Sequence, residues 1–131
     1  MNRDQYIEAF RELEPDAHVI VKGNRWEDVE IPGYVKPEKE TLAGVYLDMC
    51  RDRAVDTLLA NYMIICTETD SEEMMYSKRS NLGILSDDDQ AQYDMAMERY
   101  RQATVTYRQR KQQITDAQSI AELEAIPCTV E

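Results

Sequence analysis

The feature that most constrains this chain is a seven-residue repeat in its C-terminal half. Tyr93, Tyr100, Tyr107 and Ile114 recur every seven residues, while Ala96, Ala103 and Ala117 fall at the companion position, with Arg110 as the exception. A sustained heptad of large and small residues specifies a long helix with one seam that lets a second helix approach closely. The start of that helix is equally legible. Ser86 suits the N-cap, and Asp87, Asp88 and Asp89 face the free N–H groups of the first turn. Adjacent helical residues diverge by about 100°, so three consecutive Asp read as helix-start electrostatics rather than as one cation site.

The other segments follow the same rules. Asn2 is an N-cap for a short helix in which Tyr6, Phe10 and Leu13 share a face, and Pro15 ends it. His18 to Lys22, the turn pair Gly23-Asn24 and Trp26 to Ile31 read as a β-hairpin. Two strands alone are marginal in water, so the ribbon must lie on a helix or join another chain's sheet. Pro32, Gly33 and Pro37 stop regular structure and suggest a hinge. This divides the chain into an N-terminal helix and β-hairpin module, 1–35, and a helical body, 36–131.

In the body, Pro37 opens a helix whose face carries Leu42, Val45, Tyr46, Met49 and Arg53. Tyr62 to Cys66 is apolar nearly all round, as for a helix end buried in a bundle. Thr67 to Asp70 reads as a break, with Asp70 and Glu73 resembling a capping box for a short helix that ends at Gly83. Ser119 and Glu122 form a second capping box, opening a final helix with Ile120, Leu123 and Ile126 that Pro127 stops. The expected fold is mainly α: the N-terminal module followed by a three- to four-helix bundle.

Composition narrows the function. With 131 residues and 43% apolar content the chain is long and apolar enough to bury a core. Its net charge of −11 disfavours nucleic acid or an anionic membrane as a partner. Yet Arg99, Arg101, Arg108, Arg110 and Lys111 give residues 99–111 a local +5, which leaves −16 on the rest. No apolar run approaches a membrane span, and Met1-Asn2-Arg3-Asp4 does not open a secretion signal. Cys50, Cys66 and Cys128 are odd in number and lack a C-x-x-C pair, so a disulfide framework or zinc site is not expected and a reducing compartment is. The single histidine, His18, has no nucleophile motif beside it, and no Gly-rich phosphate loop occurs. Neither a catalytic residue nor a cofactor or metal site is expected.

Protein contacts are the better candidates. Eight Tyr against one Phe is unusual for a closed core, and Tyr suits surfaces that are apolar along the ring and wet at the hydroxyl. The heptad Tyr93, Tyr100 and Tyr107 therefore packs within the chain or against another chain, and periodicity leaves both open. Trp26 anchors the ribbon on the helix of Tyr6 and Phe10, the reading we favour, or serves as a partner hot spot. Tyr34 in the hinge and Arg101 and Arg108 in the basic run complete the candidate partner-binding set. The basic run is a solvated face or pairs with acidic residues of a neighbouring copy.

Three stretches resemble known proteins. Glu14 to Ile31 (EPDAHVIVKGNRWEDVEI) followed by Pro32 to Leu42 (PGYVKPEKETL) resembles small bacteriophage tail-associated proteins, which have a short helix, a "PDA"-like turn, a small ribbon and a Pro-led helix start. Ser86 to Ala103 (SDDDQAQYDMAMERYRQA) is similar to the segment of phage tail assembly chaperone-like proteins that leads into a "YRQA-L-R" signature. Tyr100-Arg101-Gln102-Ala103 matches it, while Thr104 stands where Leu is usual. The upstream "D-W" element of those proteins is absent, since Thr69-Asp70 is followed by Ser71. Ile114 to Ile126 (ITDAQSIAELEAI) looks like the ending of many phage tail-fibre-associated and virion proteins. The resemblance implies a non-enzymatic structural protein of the virion, at the tail or tail fibres, assembled in the host cytoplasm. Its partners would be other phage structural proteins, such as tail or fibre subunits, and possible further copies of itself, with no nucleic acid and no membrane. The alternatives are a tail-fibre assembly chaperone absent from the finished particle, and a small acidic inhibitor or DNA mimic acting on a host enzyme.

Overall fold

A computed structural model describes residues 1–131. In chain order the elements are α1 (Arg3–Leu13), β1 (Ile20–Val21), β2 (Val29–Glu30), α2 (Lys39–Asn81), α3 (Asp87–Asp116) and α4 (Ile120–Glu124). The fold is mainly α. Its body consists of two long helices and one short one.

Polar caps set the helix ends. Asn2 accepts the Gln5 N–H at 2.9 Å while the Gln5 side chain accepts the Asn2 N–H at 2.9 Å, a reciprocal capping box. Ser86 and Asp89 repeat that exchange at 3.0 and 3.1 Å, and Asp89 also receives Arg79 at 2.7 Å across the turn. Ser119 accepts the Glu122 N–H, but the Glu122 carboxylate accepts from Gln118 N–H rather than from the cap residue. Gly83, at φ +69°, ends α2. The N–H groups of Gly83 and Ile84 donate to the carbonyls of Ser80 and Arg79, closing the last turn in the pattern that needs a left-handed residue at this position.

The ribbon is shorter than the sequence pattern suggests. Antiparallel pairs join Ile20 to Glu30 and Val21 to Val29, while Trp26–Asp28 winds into a 3₁₀ turn instead of continuing the strand. A flat strand would turn Trp26 to the face opposite Val29. Three residues per turn bring them to the same side. Both are buried there with Ile31. Gly23 is required by the same turn, because a Cβ there would collide with the Asp28 carboxylate.

The core has two parts strung along α2. In the first, Ile7, Ala9 and Phe10 of α1 meet Trp26, Val29, Ile31 and, from α2, Leu42. The core of the N-terminal segment is thus closed by the opening turns of α2. The second gathers Leu58, Ile65, Ala103, Ile114, Ala117, Leu123 and Val130.

Helix α2 differs from expectation in two ways. It runs unbroken through Thr67–Asp70 for 43 residues, about 65 Å. The hydroxyls that suggested a break turn back onto the helix itself: Thr67 donates to the Met63 carbonyl, Thr69 to that of Ile65 and Ser71 to that of Thr67. Thr69 stays on the buried seam with its hydroxyl satisfied, so no cap is needed. Further, Tyr62 to Cys66 is mid-helix rather than a buried end, and Met63 and Ile64 are more than half exposed.

Candidate interaction face of the helical hairpin

Antiparallel α2 and α3 form a hairpin whose register is set by Arg79 with Asp89 at the tip, Tyr76 with Tyr93, and Tyr62 with Tyr107. Leu58, Tyr62, Ile65, Thr69 and Tyr76 line the α2 side of the seam, and Ala96, Ala103 and Ile114 are buried from α3. Small residues at Ala96 and Ala103 let the backbones approach, as the heptad requires.

The candidate residues divide on this frame. Tyr107 stacks on Tyr62 with ring centroids 4.6 Å apart, and Tyr93 meets Tyr76 edge-on at 6.3 Å. These two tyrosines close the seam within the chain. Tyr100 instead is 39% exposed. Trp26 is 4% exposed between Tyr6 and Phe10, so it anchors the ribbon and offers almost no surface; Lys36 Nζ sits 4.5 Å above its ring. Tyr34 packs its edge on Phe10 at 5.9 Å and is otherwise exposed. Arg101 pairs with Glu98 one turn back, whereas Arg108 is exposed with no carboxylate within reach. Arg110, the exception in the small-residue series, bonds Thr129 and helps hold the C-terminal residues against α3.

One flank of the hairpin is free of other elements and brings the candidates Tyr100, Arg101 and Arg108 of α3 together with a stripe on α2. On α2, Leu59, Tyr62, Met63, Cys66, Asp70 and Glu73 fall within about 100° of one another around the helix; on α3, Met97, Tyr100, Arg101, Thr104, Arg108 and Lys111 do the same. The Tyr62 hydroxyl meets the Thr104 hydroxyl at 2.8 Å and joins the two stripes. Thr104 pulls the Tyr62 phenol down, but burial and the neighbouring Cys66 and Tyr100 groups outweigh it and hold the phenol at about 12. Behind this flank, Arg101 and then Gln102 hold the Glu98 carboxyl down at about 2. The signal for this face was present in the sequence as a second stripe on α2, offset from the seam.

The opposite flank is occupied. Asn61 donates to the Cys128 carbonyl at 2.6 Å, and Arg99 bridges Glu68 and Glu131 at 2.8 and 2.5 Å. At the tip a shallow open cavity of 260 Å³ lies between Tyr76 and Tyr93, bordered by Ser77, Ser80, Asn81 and Gln90. No group of three or more His, Cys, Asp and Glu side chains is arranged around a common point to hold a metal ion, and no helix is long and apolar enough to cross a membrane. Compared with protein-family models, with curated proteins and with solved structures, the chain has no match.

Proposed function

We propose that this chain is a non-enzymatic structural protein of a bacteriophage particle, at the tail or its fibres, that works by docking its helical hairpin against other chains. The observation that carries the docking is the apolar surface left on two helices: Leu59, Met63, Ile64, Met74, Met95, Tyr100 and Val105 are all at least 40% exposed or close to it. A hairpin of two helices buries one stripe of each, and apolar surface beyond that stripe suits a protein partner. The phage setting rests on the three resembling stretches. Tail or fibre subunits and further copies of this chain are the partners that fit.

A second reading is favoured by one feature of that surface. Met63, Met74 and Met95 are each more than half exposed. Flexible, polarisable Met suits changing partners, which fits an assembly chaperone. A DNA mimic needs a uniform anionic face, and the run from Arg99 to Lys111 opposes it. Quantitative mass spectrometry on purified particles beside infected-cell lysate tests the proposal. A fixed copy number per particle supports the structural role. Presence in the lysate alone overturns it in favour of the chaperone.

A further inference from the structure

The free flank of the hairpin has a polarity along its length. At one end Arg108 and Lys111 lie level with the α2 turn that carries Leu59. In the middle are Tyr62, Met63, Cys66, Tyr100 and Thr104, with Arg101 neutralised by its pair with Glu98. At the other end Asp70 and Glu73 lie beside Met97. None of Arg108, Lys111, Asp70 or Glu73 has an ion-pair partner within the chain, although ten other pairs form. The face is thus basic, largely apolar, then acidic; Lys111 Nζ lies 5.8 Å from the Tyr107 ring centroid, and the charges at both ends are free of ion pairs.

The geometry points to a second copy of this chain as the occupant. A two-fold axis lying in the plane between the two faces and running across the helices turns one hairpin end for end on the other. That operation lays each α2 across the partner's α2, stacks the apolar middles, and brings Arg108 and Lys111 of each copy level with Asp70 and Glu73 on the partner's neighbouring helix, where the crossing of the helices and long side chains close the lateral gap. The contact is isologous and closes as a dimer. It converts two two-helix hairpins into a four-helix bundle crossing at about 20°. From Leu59 to Glu73 the face runs roughly 22 Å, and two helices of about 10 Å each make it about 20 Å wide. Both sides together come to about 900 Å², below the roughly 1,200–2,000 Å² of stable interfaces and in the range of weak, reversible ones. The axis passes level with Ile65 and Cys66, midway between the charged ends, so the two Cys66 thiols fall close together. This inference deepens the docking role and rests on the hairpin being an interaction element.

Sedimentation of the full chain across a concentration series tests it, with thiol cross-linking by a short bis-maleimide. The expected result is a species of twice the 15.3 kDa chain mass that dissociates on dilution and weakens with salt. Reversing the basic end, Arg108→Glu with Lys111→Glu, weakens it about tenfold or more, since each change acts twice. Adding Asp70→Lys and Glu73→Lys to that variant restores it. All four side chains are exposed, so the variants keep the helical circular dichroism of the parent. The cross-link maps to Cys66–Cys66 by mass spectrometry. A monomer at every concentration overturns the inference, as does a dimer indifferent to the charge swap or one cross-linked through Cys50 or Cys128. A monomeric chain found in particles overturns self-pairing alone. A dimer absent from particles overturns the virion role alone.

Discussion

Phe10→Ala tests how the two parts of the core are coupled. Phe10 is 1% exposed and is the largest fully buried side chain of the first core part, where Trp26 lies 6.4 Å from its ring. Truncating a buried Phe to Ala costs about 3–5 kcal/mol, the transfer term plus the cavity. The two core parts share no residue and communicate only through α2, where Tyr46 packs on the first and Leu47 on the second. The exposed pair of Arg53 with Glu8 adds little to that coupling. The loss therefore falls on the N-terminal segment. Trp26 is the sole tryptophan, so its fluorescence reports that segment, while circular dichroism at the helical minimum is dominated by α2 and α3. With a urea slope of roughly 2 kcal/mol/M, the fluorescence midpoint moves down by about 2 M. The dichroism midpoint moves by a small fraction of that. Coincident midpoints in the parent that shift together in Phe10→Ala refute the reasoning and make the chain one cooperative unit.

Three further outcomes follow from the hairpin. Ala103→Leu inserts three carbons at a seam position 1% exposed, and thermal unfolding should show a destabilisation of about 1–3 kcal/mol from overpacking. Ser86→Ala removes the acceptor for the Asp89 N–H and should cost about 1 kcal/mol in a chemical unfolding titration. An unfolded Tyr ionises near pH 10, whereas Tyr62 is held at about 12. Its folded-state pKa is raised, so its contribution is complete below pH 10 and is lost between about 10 and 12. Phenolate absorbance should show a late-titrating fraction, to which Tyr46, also raised by burial, contributes, and Tyr62→Phe should reduce it; a late fraction unchanged in Tyr62→Phe contradicts the burial of Tyr62 beside Cys66 and Tyr100.

Local signals read well because they are satisfied locally. The caps at Asn2 and Ser86 and the glycine end at Gly83 each form within five residues of the residue that announces them. The heptad of α3 was legible because a seven-residue period survives whatever partner fills it. Which partner filled it was not: the α2 seam also steps by sevens, Leu58 with Ile65 and Tyr62 with Thr69 and Tyr76, but Thr69 and Glu72 on the same stripe lower its apolar contrast. Trp26 marks the other kind of miss. Alternation assigned it to a strand face, but its burial against Tyr6 and Phe10 requires a 3₁₀ turn, and tertiary packing overrode the period of two. The free flank was legible on α3 through Tyr100, Arg101 and Arg108 but not as one face, because its stripe on α2 mixes apolar residues with Asp70 and Glu73, which lowers the contrast that periodicity detects.

The expected break at Thr67–Asp70 allows a last test in which the sign decides. If Asp70 capped a new helix, Asp70→Ala would remove an acceptor from the backbone and cost about 1 kcal/mol. In the continuous α2, Asp70 is an exposed interior residue and caps nothing. Ala is the best helix former and Asp among the poorer ones, so the same substitution stabilises by about half a kcal/mol. Relief of like-charge repulsion between Asp70 and Glu73, one turn apart, adds in the same direction. The measurement is urea unfolding at low chain concentration, where contact between copies does not contribute. A gain in stability fits one 43-residue helix. A loss near 1 kcal/mol would place a helix start at Asp70 and divide α2 in two.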